Sequence, residues 1–304
     1  MEESILTKII MPLCIIFIMY GLGLSLTIAD FRRVWTNPKV MSIGIALQII
    51  GFPALGFMVC YVLRLEPVLA ASVMLLCACP GGAITNLVSF VSKGDAALSV
   101  SLTAVNSFIT VMTIPIVVTL SLGYFLGAEA AAQVRVWKLS LGVLAITIPP
   151  IILGMLTKQK LSDFAKKSEK WVRRGTIAFL ATIATVVSIQ ERAMIAEYYD
   201  TIALLAVGLC LLTATMGMTV AGAVRLPRKQ ILTLGIEVGL PNSAMGIVIA
   251  LSFLNMPELS LFSGGYLLVE YILAGILMGI MTSPVGDRIL GIKKTAGEAL
   301  KEIL

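Results

Sequence analysis

Three observations predict an all-α, polytopic membrane protein. The first is composition: of 304 residues, 58% are hydrophobic and only 13% are charged, with a mean hydropathy of +0.99. Soluble domains carry about 25% charged residues. The second is periodic: apolar runs of about 20 residues, enough to cross a bilayer as a helix, recur along the whole chain. The third is the placement of Lys and Arg, which fall between these runs and mostly between alternate ones.

The runs predict nine spans: 7–29, 39–63, 67–91, 96–123, 136–157, 172–190, 200–224, 229–254 and 260–283. The first begins near Ile9 without a basic leader, so it reads as a span and not as a cleaved signal. Asp30-Phe31-Arg32-Arg33 and Asn37-Pro38 divide the first two spans. Lys93-Gly94-Asp95 divides the third from the fourth, and Arg225-Leu226-Pro227-Arg228-Lys229 the seventh from the eighth. The third span is interrupted by Cys79-Pro80-Gly81-Gly82 and the eighth by Gly239-Leu240-Pro241-Asn242. Pro removes a backbone donor and opens a helix. Broken spans at matching places in two halves point to a secondary transporter's binding site, while ordinary proline kinks in packed helices are the plainer alternative.

With the C-terminus inside, the outer segments hold Lys8, Arg64, Arg135, Lys138 and Arg192, and all other Lys and Arg lie inside. This predicts a multi-pass protein of the cell's inner (plasma) membrane with its N-terminus outside. The net charge of +6 then reflects cytoplasmic loops facing anionic lipid, and nucleic-acid binding is not expected. The chain has no His, which excludes histidine metal sites, Ser-His-Asp triads and histidine proton relays. Cys14, Cys60, Cys77, Cys79 and Cys210 lie in apolar runs and read as buried packing residues. No enzyme is predicted.

Glu237 is the one charge between Ile231 and Ala250. A carboxylate at membrane depth costs about 3 kcal/mol on insertion scales, and such a residue usually serves an ion or a proton. Thr85 and Asn86 follow the first break, and Ser99 and Thr103 share one helix face four residues apart. Thr85, Asn86, Ser99, Thr103 and Glu237 would form an oxygen-only site with one negative charge, suited to Na⁺ rather than to a divalent ion. Taken singly, each hydroxyl could equally bond back to its own helix. Gln48, the amide in the middle of the second span, either bonds to a neighbouring helix or completes a second cation site with carbonyls near Glu237 to Leu240. Glu270, in the last span, could bind a proton, a second cation or a substrate amine, or could be a shallow acid reaching the outer interface.

Three runs carry a family resemblance: Cys79-Pro80-Gly81-Gly82-x-x-Thr85-Asn86, Lys93-Gly94-Asp95-x-x-Leu98-Ser99-Val100-x-x-Thr103 and Ile236-Glu237-Val238-Gly239-x-x-Asn242-Ser243. Together they resemble the bile acid:sodium symporter family, in a nine-helix form. The resemblance implies an inverted-repeat transporter with two broken, crossing helices. It implies a core domain (39–63, 67–91, 96–123, 200–224, 229–254, 260–283) and a panel domain (7–29, 136–157, 172–190). It matches Thr85, Asn86, Ser99, Thr103 and Glu237 to a first sodium site, and Gln48, Glu237, Val238 and Leu240 to much of a second. Pro241 stands there where family members commonly have Gln. Substrate would bind near Ala83 and Asn242, with Glu270 a further substrate candidate outside the family pattern. The implied activity is sodium-coupled symport of an organic anion, bile acid-like or a small carboxylate, by alternating access, with Na⁺ as coupling ion and the lipid bilayer as surroundings. A proton-coupled carrier or exporter using Glu237 and Glu270 is one alternative. A ligand-binding membrane sensor without transport is another. Oligomeric state stays open.

Overall fold

The computed structural model describes residues 11–161, 163, 175 and 192–290. The span expected at 172–190 lies outside the described residues, apart from Gly175. Among the described residues the chain is helical throughout, with one isolated two-residue bridge and no strand. The protein is an all-α polytopic membrane protein: among the described residues five helices are long and apolar enough to cross a membrane, six if a bent pair counts as one span.

That pair is α1 (Met11–Ser25) and α2 (Ile28–Thr36), bent by 69°. The segment 30–33, expected as a connector, is therefore helical. Asp30 Oδ2 accepts from the backbone N of Thr27 at 2.7 Å, which fixes the start of α2. Pro38 then opens α3 (Pro38–Val62), occupying a first-turn position that needs no N–H. Within α3 the turn Leu47–Gly51 widens, with the N–H of Phe52 reaching Leu47 O. Pro53 follows and offers no N–H of its own to the ladder. Such widened turns are frequent at functional sites, and Gln48 sits in this one.

α4 (Pro67–Ala78) and α5 (Ala83–Val91) are the two arms of one broken span. Pro80 drives the preceding Cys79 into extended backbone (φ −77°, ψ 147°). α6 (Ala96–Phe125) and α7 (Val136–Lys160) follow. After the undescribed stretch come α8 (Arg192–Ala223) and the second broken span, α9 (Arg228–Gly239) and α10 (Ser243–Leu254). A short turn at Pro257–Ser260 leads into α11 (Leu261–Thr282) and α12 (Pro284–Leu290).

The two breaks cross. Gly82 N donates to Leu240 O at 3.2 Å, and Asn242 N donates to Pro80 O at 2.7 Å, forming the antiparallel bridge Gly81–Pro241. Backbone freed from helix by the prolines is thus satisfied by the other break, which an apolar interior demands. α1 packs along α7, and the backbones come close because Gly23 faces the Ile151 carbonyl and Gly154 faces the Tyr20 carbonyl. α8 packs along α9 and α11. Contacts made by Lys39 with Val224 O, Lys93 with Asp287 and Arg228 with Ile289 O gather three basic connectors at one end of the molecule.

Candidate functional site

Glu237 lies in the last turn of α9 and is 1% exposed. Its carboxylate points into the crossing: a Cβ on Gly81 would sit 2.7 Å from Glu237 Oε2. The absence of a side chain at Gly81 is what admits the acid. α6 supplies two hydroxyls from successive turns of one face. Ser99 Oγ donates to Glu237 Oε1, and Thr103 Oγ1 lies 3.3 and 3.2 Å from the two carboxylate oxygens. Asp95 sets the register of that face by capping α6, with Oδ1 accepting from Leu98 N at 3.0 Å.

α5 brings the remaining oxygens. Asn86 Oδ1 lies 2.9 Å from Ser99 Oγ and 3.5 Å from Thr103 Oγ1. Thr85 Oγ1 donates to Gly82 O at 2.8 Å and lies 3.5 Å from Thr103 Oγ1. The five residues Thr85, Asn86, Ser99, Thr103 and Glu237 are therefore brought together around one point. Their oxygens outnumber their hydroxyl protons, because Thr85's proton goes to Gly82 O while Ser99 and Thr103 each face several acceptors. No Lys or Arg pairs with Glu237 among the described residues. A small monovalent cation would satisfy all of these oxygens at once. The same residues give no group of three Cys, Asp or Glu of the kind that draws a divalent metal.

Gln48 reaches the same carboxylate from α3. Its Nε2 donates to Glu237 Oε2 at 3.1 Å and to Glu237 backbone O at 2.7 Å. Of the other three residues matched to the second site, Leu240 and Pro241 lie in the break and Val238 lies in the last turn of α9. Leu240 O accepts from Gly82 N, Pro241 O accepts from Ser243 N at 3.1 Å, and Val238 lies between Glu237 and the end of α9.

The three substrate candidates are less tightly grouped. Ala83 is the first residue of α5. Asn242 caps α10, its Oδ1 accepting from Met245 N at 3.0 Å. Glu270 is 2% exposed and accepts from Ser243 Oγ at 2.7 Å. It is therefore not the shallow acid that the sequence allowed, and among the described residues it shares no hydrogen-bond partner with Glu237. Nearby, Tyr266 OH and Cys210 Sγ both donate to Gly239 O, at 2.8 and 3.3 Å. They hold the end of α9 in place.

Two polar residues in the network are absent from the sequence-based site. Asn106 donates through Nδ2 to Gln48 Oε1 and is fully buried. It lies three residues beyond Thr103, on the face that Ser99 and Thr103 already mark, so the helical spacing alone pointed to it. Ser243 follows Asn242 directly, and only the fold pairs it with Glu270.

The model of the sodium bile acid symporter family matches residues 12–198, more than half of the chain. The chain belongs to the sodium bile acid symporter family. Among similar proteins is the probable sodium/metabolite cotransporter BASS1, chloroplastic, of rice (Oryza sativa subsp. japonica), 27% identical over 277 residues, 90% of this chain and 66% of that protein. The protein of the same description in Arabidopsis thaliana is 28% identical over 86% of this chain and 64% of its own length. A Bacillus subtilis protein described as the uncharacterized sodium-dependent transporter YocS is 27% identical over 77% of this chain and 71% of its own length. The chain spans less than two thirds of the length of the plant relatives it matches, 66% and 64% of the two named here and about a third of others. The sodium bile acid symporter family is one of transporters and not of enzymes.

Proposed function

We propose that this protein is a sodium-coupled symporter of an organic anion that works by alternating access. The observation that carries the reading is the proton-poor cluster of oxygens around Glu237 where the two broken spans cross. Na⁺ is cargo here, held by Thr85, Asn86, Ser99, Thr103 and Glu237. A second Na⁺ would draw on Gln48, Glu237 and the carbonyls of Val238, Leu240 and Pro241. Bound cation neutralises the carboxylate and ties α5, α6 and α9 together, so it favours whichever conformation needs them joined. The N-termini of α5 and α10 at the breaks offer positive dipole ends to a substrate carboxylate near Ala83 and Asn242.

In this reading α3 to α6 and α8 to α11 make a core, α1 and α7 belong to a panel, and substrate lies between the two. The basic connectors gathered at one end support an inner-membrane orientation with that end cytoplasmic. Buried Glu270, paired only with a hydroxyl among the contacts described, favours one second reading. There, proton movement through Glu237 and Glu270 drives the transport.

The test is thermal stabilisation of the purified protein by NaCl against KCl and choline chloride, in wild type and Glu237→Ala. A sodium-specific shift that disappears in the variant is expected. A wild type indifferent to sodium, with a strong response to pH, would replace this reading by the proton-coupled one.

A further inference from the structure

We propose that Asn106 is a positioning residue for cation binding, deciding which end of the Gln48 amide faces Glu237. The inference rests on the sodium reading above. Gln48 is 4% exposed and Asn106 is 0% exposed, so neither amide has water to fall back on. Gln48 Nε2 stands between the carboxylate and the backbone carbonyl of Glu237, donating to both. Its Oε1 faces away and accepts from Asn106 Nδ2. Asn106 Oδ1 is buried and has no hydrogen-bond partner among the described residues.

A sodium ion set against those two Glu237 oxygens needs an oxygen from Gln48 and is repelled by an N–H. Half a turn of the planar amide exchanges Oε1 and Nε2 without moving the backbone. Nε2 then faces Asn106, where a second N–H would meet it head-on. Asn106 must therefore turn as well and present Oδ1 as acceptor. Because a single hydrogen bond pins the Asn106 amide, this turn exchanges one bond for one bond. The bond Asn106 Nδ2 to Gln48 Oε1 becomes Gln48 Nε2 to Asn106 Oδ1. Without a cation, the turned pair would set Gln48 Oε1 against a carboxylate. Cation binding and the paired turn thus favour each other, and the pairing makes the Gln48 response two-state. An amide tied by bonds at both ends could not do this.

Asn106→Asp separates positioning from mere structure. Aspartate accepts and cannot donate, so it holds Nε2 of Gln48 and turns Oε1 toward Glu237 in advance. The readout is the sodium midpoint of thermal stabilisation, taken for wild type, Asn106→Asp, Gln48→Leu and the double variant. In the presence of Gln48, Asn106→Asp should lower the midpoint about fivefold beyond its effect in the Gln48→Leu background, the equivalent of one net hydrogen bond, about 1 kcal/mol. An added charge acting at a distance would lower both midpoints equally, and a structural role would move neither; either result overturns the proposal. A measurement that does not depend on the Asp variant is the sodium-minus-potassium infrared difference spectrum. The wild type should show shifts in two side-chain amide carbonyl bands, one of them lost in Asn106→Leu. An Asn106→Leu spectrum identical to wild type overturns the proposal. A wild type with no sodium midpoint and no difference spectrum overturns both this inference and the sodium reading, whereas a sodium response indifferent to Asn106 overturns this inference alone.

Discussion

The smallest residue in the crossing makes the sharpest demand on sequence. Gly81 and Gly82 are neighbours in the same break with ordinary backbone angles, yet a methyl group meets different surroundings at each. At Gly81 it would lie 2.7 Å from Glu237 Oε2 and 3.1 Å from Gln48 Nε2. At Gly82 the nearest atom is Pro241 O at 3.4 Å, an ordinary contact. Overpacking of a tight site costs about 1–3 kcal/mol, and here the displaced group is the carboxylate itself. Gly81→Ala should therefore raise the sodium midpoint at least about tenfold, and Gly82→Ala should change it by less than about threefold. Titrating sodium against thermal stability in the two variants checks this. Equal effects would mean that the break tolerates side chains throughout and that Glu237 is not confined as described. A milder expectation concerns Glu270. Glu270→Gln keeps the shape and an acceptor for Ser243 Oγ, so the protein should fold and retain its sodium midpoint. Whether its transport loses pH dependence discriminates the two coupling readings.

At the scale of elements, much of the architecture is legible because Pro and Gly act on backbone locally. Cys79-Pro80-Gly81-Gly82 and Gly239-Leu240-Pro241-Asn242 mark the two breaks, their crossing is implied by the family resemblance, and the fold adds the backbone bonds that join them. The bend after Ser25 is harder to see, since Asp30-Phe31-Arg32-Arg33 reads as polar punctuation. The usable signal is Thr27 three residues before Asp30, a cap pattern that outweighs the charges. The widened turns at Leu47–Gly51 and Ile249–Leu254 leave no periodic trace, because one extra residue per turn disappears in a mostly apolar run. The burial of Glu270 depends on α10 and Ser243 arriving from elsewhere in the chain, which no local pattern contains. Asp95 shows an element whose role can be tested. It caps α6 and its backbone N donates to Thr233 Oγ1 of α9 at 2.8 Å, so it fixes where Ser99 begins its turn relative to Glu237. Asp95→Ala should destabilise the protein by about 1 kcal/mol, whereas Asp95→Asn should recover most of that loss. Unfolding temperatures measured for both variants in detergent would decide it. An Asn variant as unstable as the Ala variant would assign the effect to the charge and second oxygen that Arg33 and Gln230 face, 4.0 and 3.4 Å from the carboxylate, and not to the cap.

In the proposed division, the α1–α7 panel meets the core along α6 and at the widened end of α10, and alternating access would act across this seam. α1 and α7 are held together by backbone contact at Gly23 and Gly154, which leaves them little freedom to slide apart. α9 is similarly fixed to its partners by Tyr266 and Cys210 at Gly239 O. If core and panel are each held stiff in this way, the proposed mechanism favours a rigid-body displacement between them over deformation of either. At the seam, Gly142 of α7 faces the Phe253 ring, with a Cβ at Gly142 falling 2.8 Å from it. Cysteines introduced at 142 and 253 should therefore be bridged by a short reducible bifunctional thiol reagent, and the native cysteines described are all buried and out of the way. Cross-linking should abolish sodium-driven uptake into proteoliposomes, and reduction should restore it. Sodium stabilisation should persist in the linked protein, because the Glu237 cage lies wholly within one unit. Uptake that continues at the wild-type rate with the link closed would show that this seam does not open during transport. The moving boundary would then have to be sought elsewhere, with α10 travelling alongside α7 instead of past it.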